Sequence, residues 1–240
     1  MDNVLTRKLE HFAPLSAADR QLLDEIVLPV RDVPARNDLI REGQSSDNVR
    51  LIIHGLAYRY KNLANGRRQV VAYLIPGDFC DLHVHVLKAM DHSIATVSAC
   101  KVVDISRHRI AEMTGRPALA RALWWATLVD EGTMREWLLN LGQRPALERI
   151  AHLFCEFYVK LSAAGLVTGG SFSLPLTQED VADTTGLSMV HVNRCLQQLR
   201  EMGLLKVRHR LVEINDTDGL MQFCGFNPNY LHLDSLEPVA

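Results

Sequence analysis

The sequence predicts an α+β chain of three parts in order: an N-terminal β-roll of jelly-roll type preceded by a short helix, a long helix, and a C-terminal winged helix-turn-helix. Three observations predict it. Short apolar or β-branched runs recur at regular spacing from Val33 to about Ser106. The stretch Ala118–Leu141 holds no proline and a single glycine, Gly132. Finally, Thr177 and Ser188 stand as helix caps on either side of Gly186. The expected boundaries are 1–116 for the roll with its helix, 117–142 for the long helix and 143–240 for the winged domain.

The first segment, to about Asp32, reads as helical. Ser16 with an acidic residue three positions on, Asp19, forms a capping signature, and Leu22, Leu23 and Ile26 follow at helical spacing. In the next segment the runs 39–40, 49–53, 57–60, 69–75, 94–97 and 101–105 are separated by Gly43, Gly55, Asn65-Gly66 and Pro76-Gly77-Asp78. Many short strands at such spacing indicate an antiparallel barrel or jelly roll. Asn65-Gly66 is a hairpin signal because both residues tolerate positive φ.

Along Ala118–Leu141, Leu119, Ala122, Ala126 and Val129 keep a 3-4 apolar spacing. Trp124, Trp125, Trp137 and Leu138 make the helix apolar on more than one side, so more than its own domain must cover it. A second subunit is the expected cover, although the stripe weakens at Asp130 and Glu131. Gly142-Gln143-Arg144-Pro145 interrupts the pattern and supplies a hinge, with Pro145 suited to the first turn of a new helix. Residues 146–161 carry that helix, and 163–173 reads as a Gly/Ala/Ser-rich loop.

The most informative stretch runs from Leu176 to Arg200. Thr177 caps a helix with Asp180 at its third position, Gly186 breaks it, and Ser188 caps the next. Ala182, Gly186 and Val192 then supply the small contact residue, the turn glycine and the β-branched anchor of a helix-turn-helix. Val181, Leu187, Val192, Leu196 and Leu199 are expected inside, with Ser188, Met189, Val190, His191 and Arg194 facing out, where a recognition helix meets base edges. Beyond it, two β-type runs flank Arg208-His209-Arg210 as a wing with a basic tip. The candidate DNA-binding set is therefore Thr177, Ser188, Met189, Val190, His191, Arg194, Arg208 and Arg210.

Composition bounds the function. The 240 residues are 48% hydrophobic and 22% charged, which excludes disorder and low complexity, and the net charge of −2 excludes a protein coated in positive charge. No apolar run suits a membrane span, and charges at Arg7, Lys8, Glu10, Asp19 and Arg20 interrupt any signal peptide. The five cysteines, at positions 80, 100, 155, 195 and 224, form no regular framework and suit reduced thiols of the cytoplasm. Cys195 beside Arg194 raises oxidation as a perturbation of DNA binding, with packing as the simpler role.

With Gly43, Gly55, Pro76-Gly77-Asp78-Phe79 and Leu176-Thr177-Gln178-Glu179-Asp180 through Arg194, nearly the whole chain resembles the Crp/Fnr family of bacterial transcription regulators. The resemblance implies a non-catalytic homodimer. In each protomer a cyclic-nucleotide-binding-like roll senses a signal, and a C-terminal domain reads half of a palindrome in double-stranded DNA. It also implies RNA polymerase as a partner and no membrane. Arg194 matches a base-reading arginine suited to guanine. Val190 stands where many members carry glutamate, and Met189 where some carry a second arginine, so a departing operator is expected.

The family's effectors fit less well. Cyclic-nucleotide members carry Gly-Glu-Leu and then Arg-Ser/Thr-Ala, whereas this chain has Cys80-Asp81-Leu82-His83 and Asp91-His92-Ser93-Ile94-Ala95. The phosphate-pairing arginine is absent and Asp81 adds negative charge, so cyclic nucleotide is not expected. An iron–sulfur cluster is not expected either, since the first cysteine is Cys80. The effector-pocket candidates are Asp81, Leu82, His83, Ser93, Ile94 and Ala95. One alternative stays open: Gly77 followed by His83 and His85 resembles the opening of a cupin metal motif. With Cys80, Asp81 or His92 those histidines could hold a metal, making a metalloenzyme with an accessory helical domain, or Cys/His ligation could hold haem in a regulator, although no glutamate follows at the cupin spacing.

Overall fold

The computed structural model describes residues 3–82 and 86–233, which form two compact units. The first comprises residues up to 61, 72–131 and the segment from 232, and the second comprises 62–71 and 132–231. The division between the units falls inside the long helix, at Glu131/Gly132. The reason is packing: Leu119, Ala122 and Leu123 of that helix join the core of the first unit, while Trp137 bonds within the second.

From the N-terminus, α1 (Val4–Glu10) and α2 (Ala17–Ile26) precede the strands β1 (Val30–Val33), β2 (Asp38–Ile40), β3 (Asn48–His54), β4 (Ala57–Asn62), β5 (Arg68–Leu74), β6 (Ser93–Thr96) and β7 (Cys100–Ser106), with the β4–β5 turn and the start of β5 assigned to the second unit. The capping box of Ser16 and Asp19 forms as expected. The helical reading to Asp32 is corrected, because the chain turns to strand at Val30. Pro29 cannot continue a helix, and Val30 and Val33 favour extended backbone. The strands make two antiparallel sheets, in the orders β1-β7-β3 and β2-β6-β4-β5. Ile52, Ala57, Leu74, Cys80, Ile94, Cys100 and Val102 meet in one apolar cluster of the roll. Between β3 and β4, Gly55 turns at φ 93°, and a Cβ there would stand 2.5 Å from the Ala99 carbonyl. At the β4–β5 hairpin, Gly66 alone of the Asn65-Gly66 pair takes positive φ, with Leu63 and Arg67 joined across the loop.

After the strands, α3 (Arg107–Thr114), capped by Ser106, occupies a stretch the sequence reading left unassigned. α4 follows as a single helix, Pro117–Gln143. Trp124, Leu128, Met134, Leu138 and Leu139 are exposed along it. At about 100° per residue they fall on one face, with Glu131 and Arg135 in its middle.

The second unit holds α5 (Ala146–Ala163), β8 (Ser171–Ser173), α6 (Gln178–Thr185), α7 (Met189–Glu201), β9 (Leu205–Arg208), β10 (Leu211–Ile214), α8 (Thr217–Cys224) and a 3₁₀ turn, Pro228–Leu231. Pro145 is the N-cap of α5, one residue outside the expected first turn. The loop reading of 163–173 is corrected at its end, where Ser171–Ser173 pairs antiparallel with β10 in the sheet order β8-β10-β9. Phe172, half of the alternation Ser-Phe-Ser, is the side chain that sheet buries.

Buried polar groups tie α4 to α5. Trp137 Nε1 and Tyr230 Oη both donate to Glu156 Oε2, at 2.9 and 2.8 Å. Burial pushes the Glu156 carboxyl above its ordinary range. Arg144 Nη1 donates to Asn140 Oδ1 at 2.7 Å, which turns the Asn140 amide nitrogen toward His152 Nδ1 at 3.0 Å. His152 Nδ1 is then an acceptor. Its Nε2 lies 3.1 Å from Glu136 Oε1 without hydrogen-bond alignment. Burial, aided by the Arg144 charge, lowers its pKa to about 3, so the ring is neutral. Among the described residues no helix is long and apolar enough to cross a membrane.

Candidate nucleic-acid interface

The helix-turn-helix forms as its sequence dictates. Thr177 Oγ1 accepts from the Asp180 amide at 3.1 Å, and Asp180 Oδ2 accepts from the Thr177 amide at 2.8 Å. Asp180 is fully buried and also lies 3.4 Å from Arg68, while Arg68 Nε bonds Asp183 at 2.7 Å. Two of the acidic residues of α6 are thus matched within the unit. Gly186 ends α6 at φ 66°, a left-handed conformation that suits glycine, and Ser188 Oγ accepts from the His191 amide to begin α7.

Val181, Ala182, Val192, Cys195 and Leu199 are buried, as expected of the contact between the helices. Leu187 and Leu196, also expected inside, are only half-buried. Leu187 follows the turn, and Leu196 lies about 100° around the helix from Cys195, at the margin of the packed face. Cys195 itself is packed, and burial pushes its thiol up, which disfavours the reactive thiolate.

The outward set stands largely where the sequence put it. Ser188, Met189, Val190 and Arg194 are exposed, with Val190 72% accessible, and His191 is half-buried. Val190 and Arg194, four residues apart, sit one above the other on the solvent face. One turn further, Gln197 Nε2 donates to Glu201 at 2.9 Å. The wing is a two-residue hairpin in which His209 and Arg210 both take positive φ, and Arg208 and Arg210 are exposed at its tip. Lys206 is not part of that tip charge, since its ammonium pairs with Glu213 at 2.7 Å.

A crevice beside these elements is lined by Thr177, Gln178, Asn193, Gln197 and Arg200 above apolar Phe154, Val181 and Val207. Its amide and guanidinium donors suit phosphate oxygens. Gln178, Asn193 and Gln197 were missed as candidates. Their signal was the polar spacing 193, 197, 200 on the flank of α7 away from Val192 and Leu199.

The effector-pocket candidates divide differently. Asp81, Ser93, Ile94 and Ala95 are buried, Leu82 is half-buried, and His83 and His85 lie outside the described residues. Asp81 accepts from the Arg50 amide at 2.8 Å and from Arg50 Nη1 at 2.9 Å. Burial raises its pKa, while those Arg50 contacts pull it back. Ser93 Oγ accepts from the Glu42 amide at 2.9 Å. Cys80 belongs to the apolar cluster of the roll, where burial holds its thiol protonated, and His92 Nδ1 pairs with Asp91 at 2.6 Å. Among the described residues, no three His, Cys, Asp or Glu side chains converge to hold a metal ion.

Two capped helices about a left-handed turn, an exposed arginine on the second and a basic-tipped wing define a DNA-binding transcription regulator. Residues 148–223 match the Crp-like helix-turn-helix domain, and residues 30–116 match the cyclic nucleotide-binding domain. Over 200 residues the chain is 30% identical to the transcriptional activator protein FnrL of Cereibacter sphaeroides, covering 81% of this chain and 80% of that one. The chain belongs to the Crp/Fnr family of transcription regulators. It is also 28% identical over 208 residues to the nitrogen fixation regulation protein FixK of Azorhizobium caulinodans, covering 85% of this chain and 82% of that one. The structure of FixK2 from Bradyrhizobium japonicum shares the fold, with a TM-score of 0.73 at 24% identity, over 81% of this chain and 96% of that one.

Proposed function

We propose that the chain works as a cytoplasmic homodimer that reads a palindromic operator, makes contact with RNA polymerase and catalyses no reaction. The observation that carries this reading is the Val190–Arg194 stripe on α7, exposed and bracketed by the Ser188 cap and the wing. Arg194 offers a bidentate donor pair to guanine O6 and N7, and Val190 offers an apolar contact to a thymine methyl. Thr177, Gln178, Asn193 and Arg200 then hold phosphates and fix the register. The apolar face of α4 supports a dimer. Trp124, Leu128 and Leu138 are 71%, 46% and 73% exposed, and an apolar groove beside Trp124 is lined by Leu82, Val86, Leu87 and Leu123. A parallel partner helix would cover both.

The roll, in this reading, senses something other than a cyclic nucleotide, or has ceased to sense. Support comes from the buried Asp81–Arg50 pair and from the lack of arginine in the segment 91–95. Selection of bound duplexes from randomised DNA tests the operator, with sedimentation of the complex for stoichiometry. The expected outcome is an inverted repeat whose half-sites lie about 34 Å apart, bound by two protomers. A single asymmetric site bound by one protomer would overturn it.

A further inference from the structure

Cys155 on α5 and Cys224, the last residue of α8, bring their sulfurs to 3.8 Å although 69 residues separate them in sequence. Both side chains are buried, 1% and 2% exposed. Neither belongs to the DNA-facing surface, and a small apolar residue would pack at either position without a thiol. The Cys224 thiol donates to the Leu220 carbonyl at 3.1 Å, which leaves its sulfur to accept from Cys155. That arrangement holds the Cys155 thiol protonated and pulls the Cys224 thiol down, and it gives Cys224 the part of first nucleophile.

We propose that Cys155 and Cys224 are a peroxide-oxidisable pair whose reversible disulfide staples α8 to α5. The ring so closed contains β8, α6, α7, β9 and β10, which is the whole helix-turn-helix with its wing. The sulfurs must approach by roughly 1.8 Å to reach bonding distance, a movement within reach of side-chain rotation on a short terminal helix. In the first step the Cys224 thiolate attacks one oxygen of hydrogen peroxide. The O–O bond breaks, and the departing hydroxide takes up the thiol proton as water, leaving a sulfenic acid. The Cys155 sulfur then attacks the Cys224 sulfur. The S–O bond breaks, a second water leaves with the Cys155 proton, and the S–S bond remains. Two thiols lose two electrons and one peroxide is reduced to two waters.

The test uses the full chain, purified under reductant, desalted and treated with hydrogen peroxide. Remaining thiols are alkylated in denaturant, and a non-reducing digest is examined by mass spectrometry. The expected result is a linked peptide pair containing Cys155 and Cys224, lighter by two hydrogens than the separate thiol peptides and released by dithiothreitol. Cys80, Cys100 and Cys195 should stay alkylated. The oxidised chain should also unfold about 5 °C or more above the reduced one, since the staple closes a long loop. Cys155→Ala and Cys224→Ala should each abolish the linkage, and the wild-type digest decides the matter even if a variant fails to fold. Both thiols recovered intact at peroxide levels that convert free cysteine added to the same sample to cystine, sulfinic acid without a link, or a link to any other cysteine would overturn the proposal. None of these outcomes depends on which DNA the protein reads.

Discussion

The Arg59 guanidinium, which donates to the carbonyls of Phe79 and Cys80 inside the roll, lies 2.9 Å from the Asp130 carboxylate of α4. The arginine side chain is 12% exposed and the carboxylate 43%. A cation this enclosed depends on the Asp130 carboxylate more than the more exposed anion depends on it, with the buried Asp81 adding a weaker attraction. Asp130→Ala should lower the stability of the first unit by about 1–2 kcal/mol, a value reduced from that of a fully buried pair because Asp130 meets solvent. Asp130→Asn should fall between, since the amide oxygen still accepts. Urea unfolding midpoints measure both, and an unchanged midpoint for the alanine variant would remove the pair from the account.

Arg194→Ala should reduce affinity for the selected operator by roughly ten-fold or more per half-site, the loss expected of a bidentate arginine–guanine contact. Binding to scrambled DNA should change little. Fluorescence anisotropy with the two duplexes measures the ratio, and preserved discrimination would reassign the reading residue.

The wing predicts a different signature. Arg208→Ala and Arg210→Ala should weaken binding to all sequences alike. Each should lower the slope of log affinity against log salt by about one for each phosphate contact removed. A loss confined to the operator, with the slope unchanged, would place these residues at base edges.

Two buried groups near the α4–α5 junction predict opposite pH effects. His152 titrates near 3 in the folded chain and near its ordinary value of 6.5 when unfolded, so the unfolded state takes up the proton first. Its contribution is present above about pH 6.5 and lost as pH falls toward 3. Glu156 is raised above its ordinary 4.5, so its contribution is full below that value and lost as pH rises through the folded pKa. Glu156→Gln keeps an oxygen for Trp137 and Tyr230 and should flatten the loss at rising pH. Glu156→Leu removes the acceptor that Trp137 and Tyr230 share and should cost about 2–4 kcal/mol. Denaturant titrations at several pH values separate the two.

Most of the fold could be read from the chain because its cues are local. Ser16 with Asp19, Thr177 with Asp180, and Gly186 are signals spanning three or four residues, and each reappears as a bond or a φ value. The same holds for Val190 and Arg194, whose exposure follows from helical period once the caps fix its start. What escaped the reading is what sequence distance hides. Nothing near Cys155 announces Cys224, nothing near Arg59 announces Asp130, and nothing near Glu156 announces Tyr230. β1 and β8 were missed because each is a short strand whose identity comes from its partner, β7 or β10. His83 and His85, which raised the metal alternative, lie outside the described residues.

Two hairpins among the described residues resolve the same backbone problem in opposite ways. In the roll, Gly66 takes the left-handed residue at φ 82° and pays no steric penalty. At the wing tip, His209 and Arg210 take it at φ 48° and 70°, where a side chain costs roughly 1 kcal/mol each. A hairpin shaped for stability alone would carry Asn-Gly there. Positive charge at the tip is therefore held at the expense of local stability. Arg210→Gly should relax the turn and loosen the grip on DNA together, a trade between endurance and affinity written into one residue.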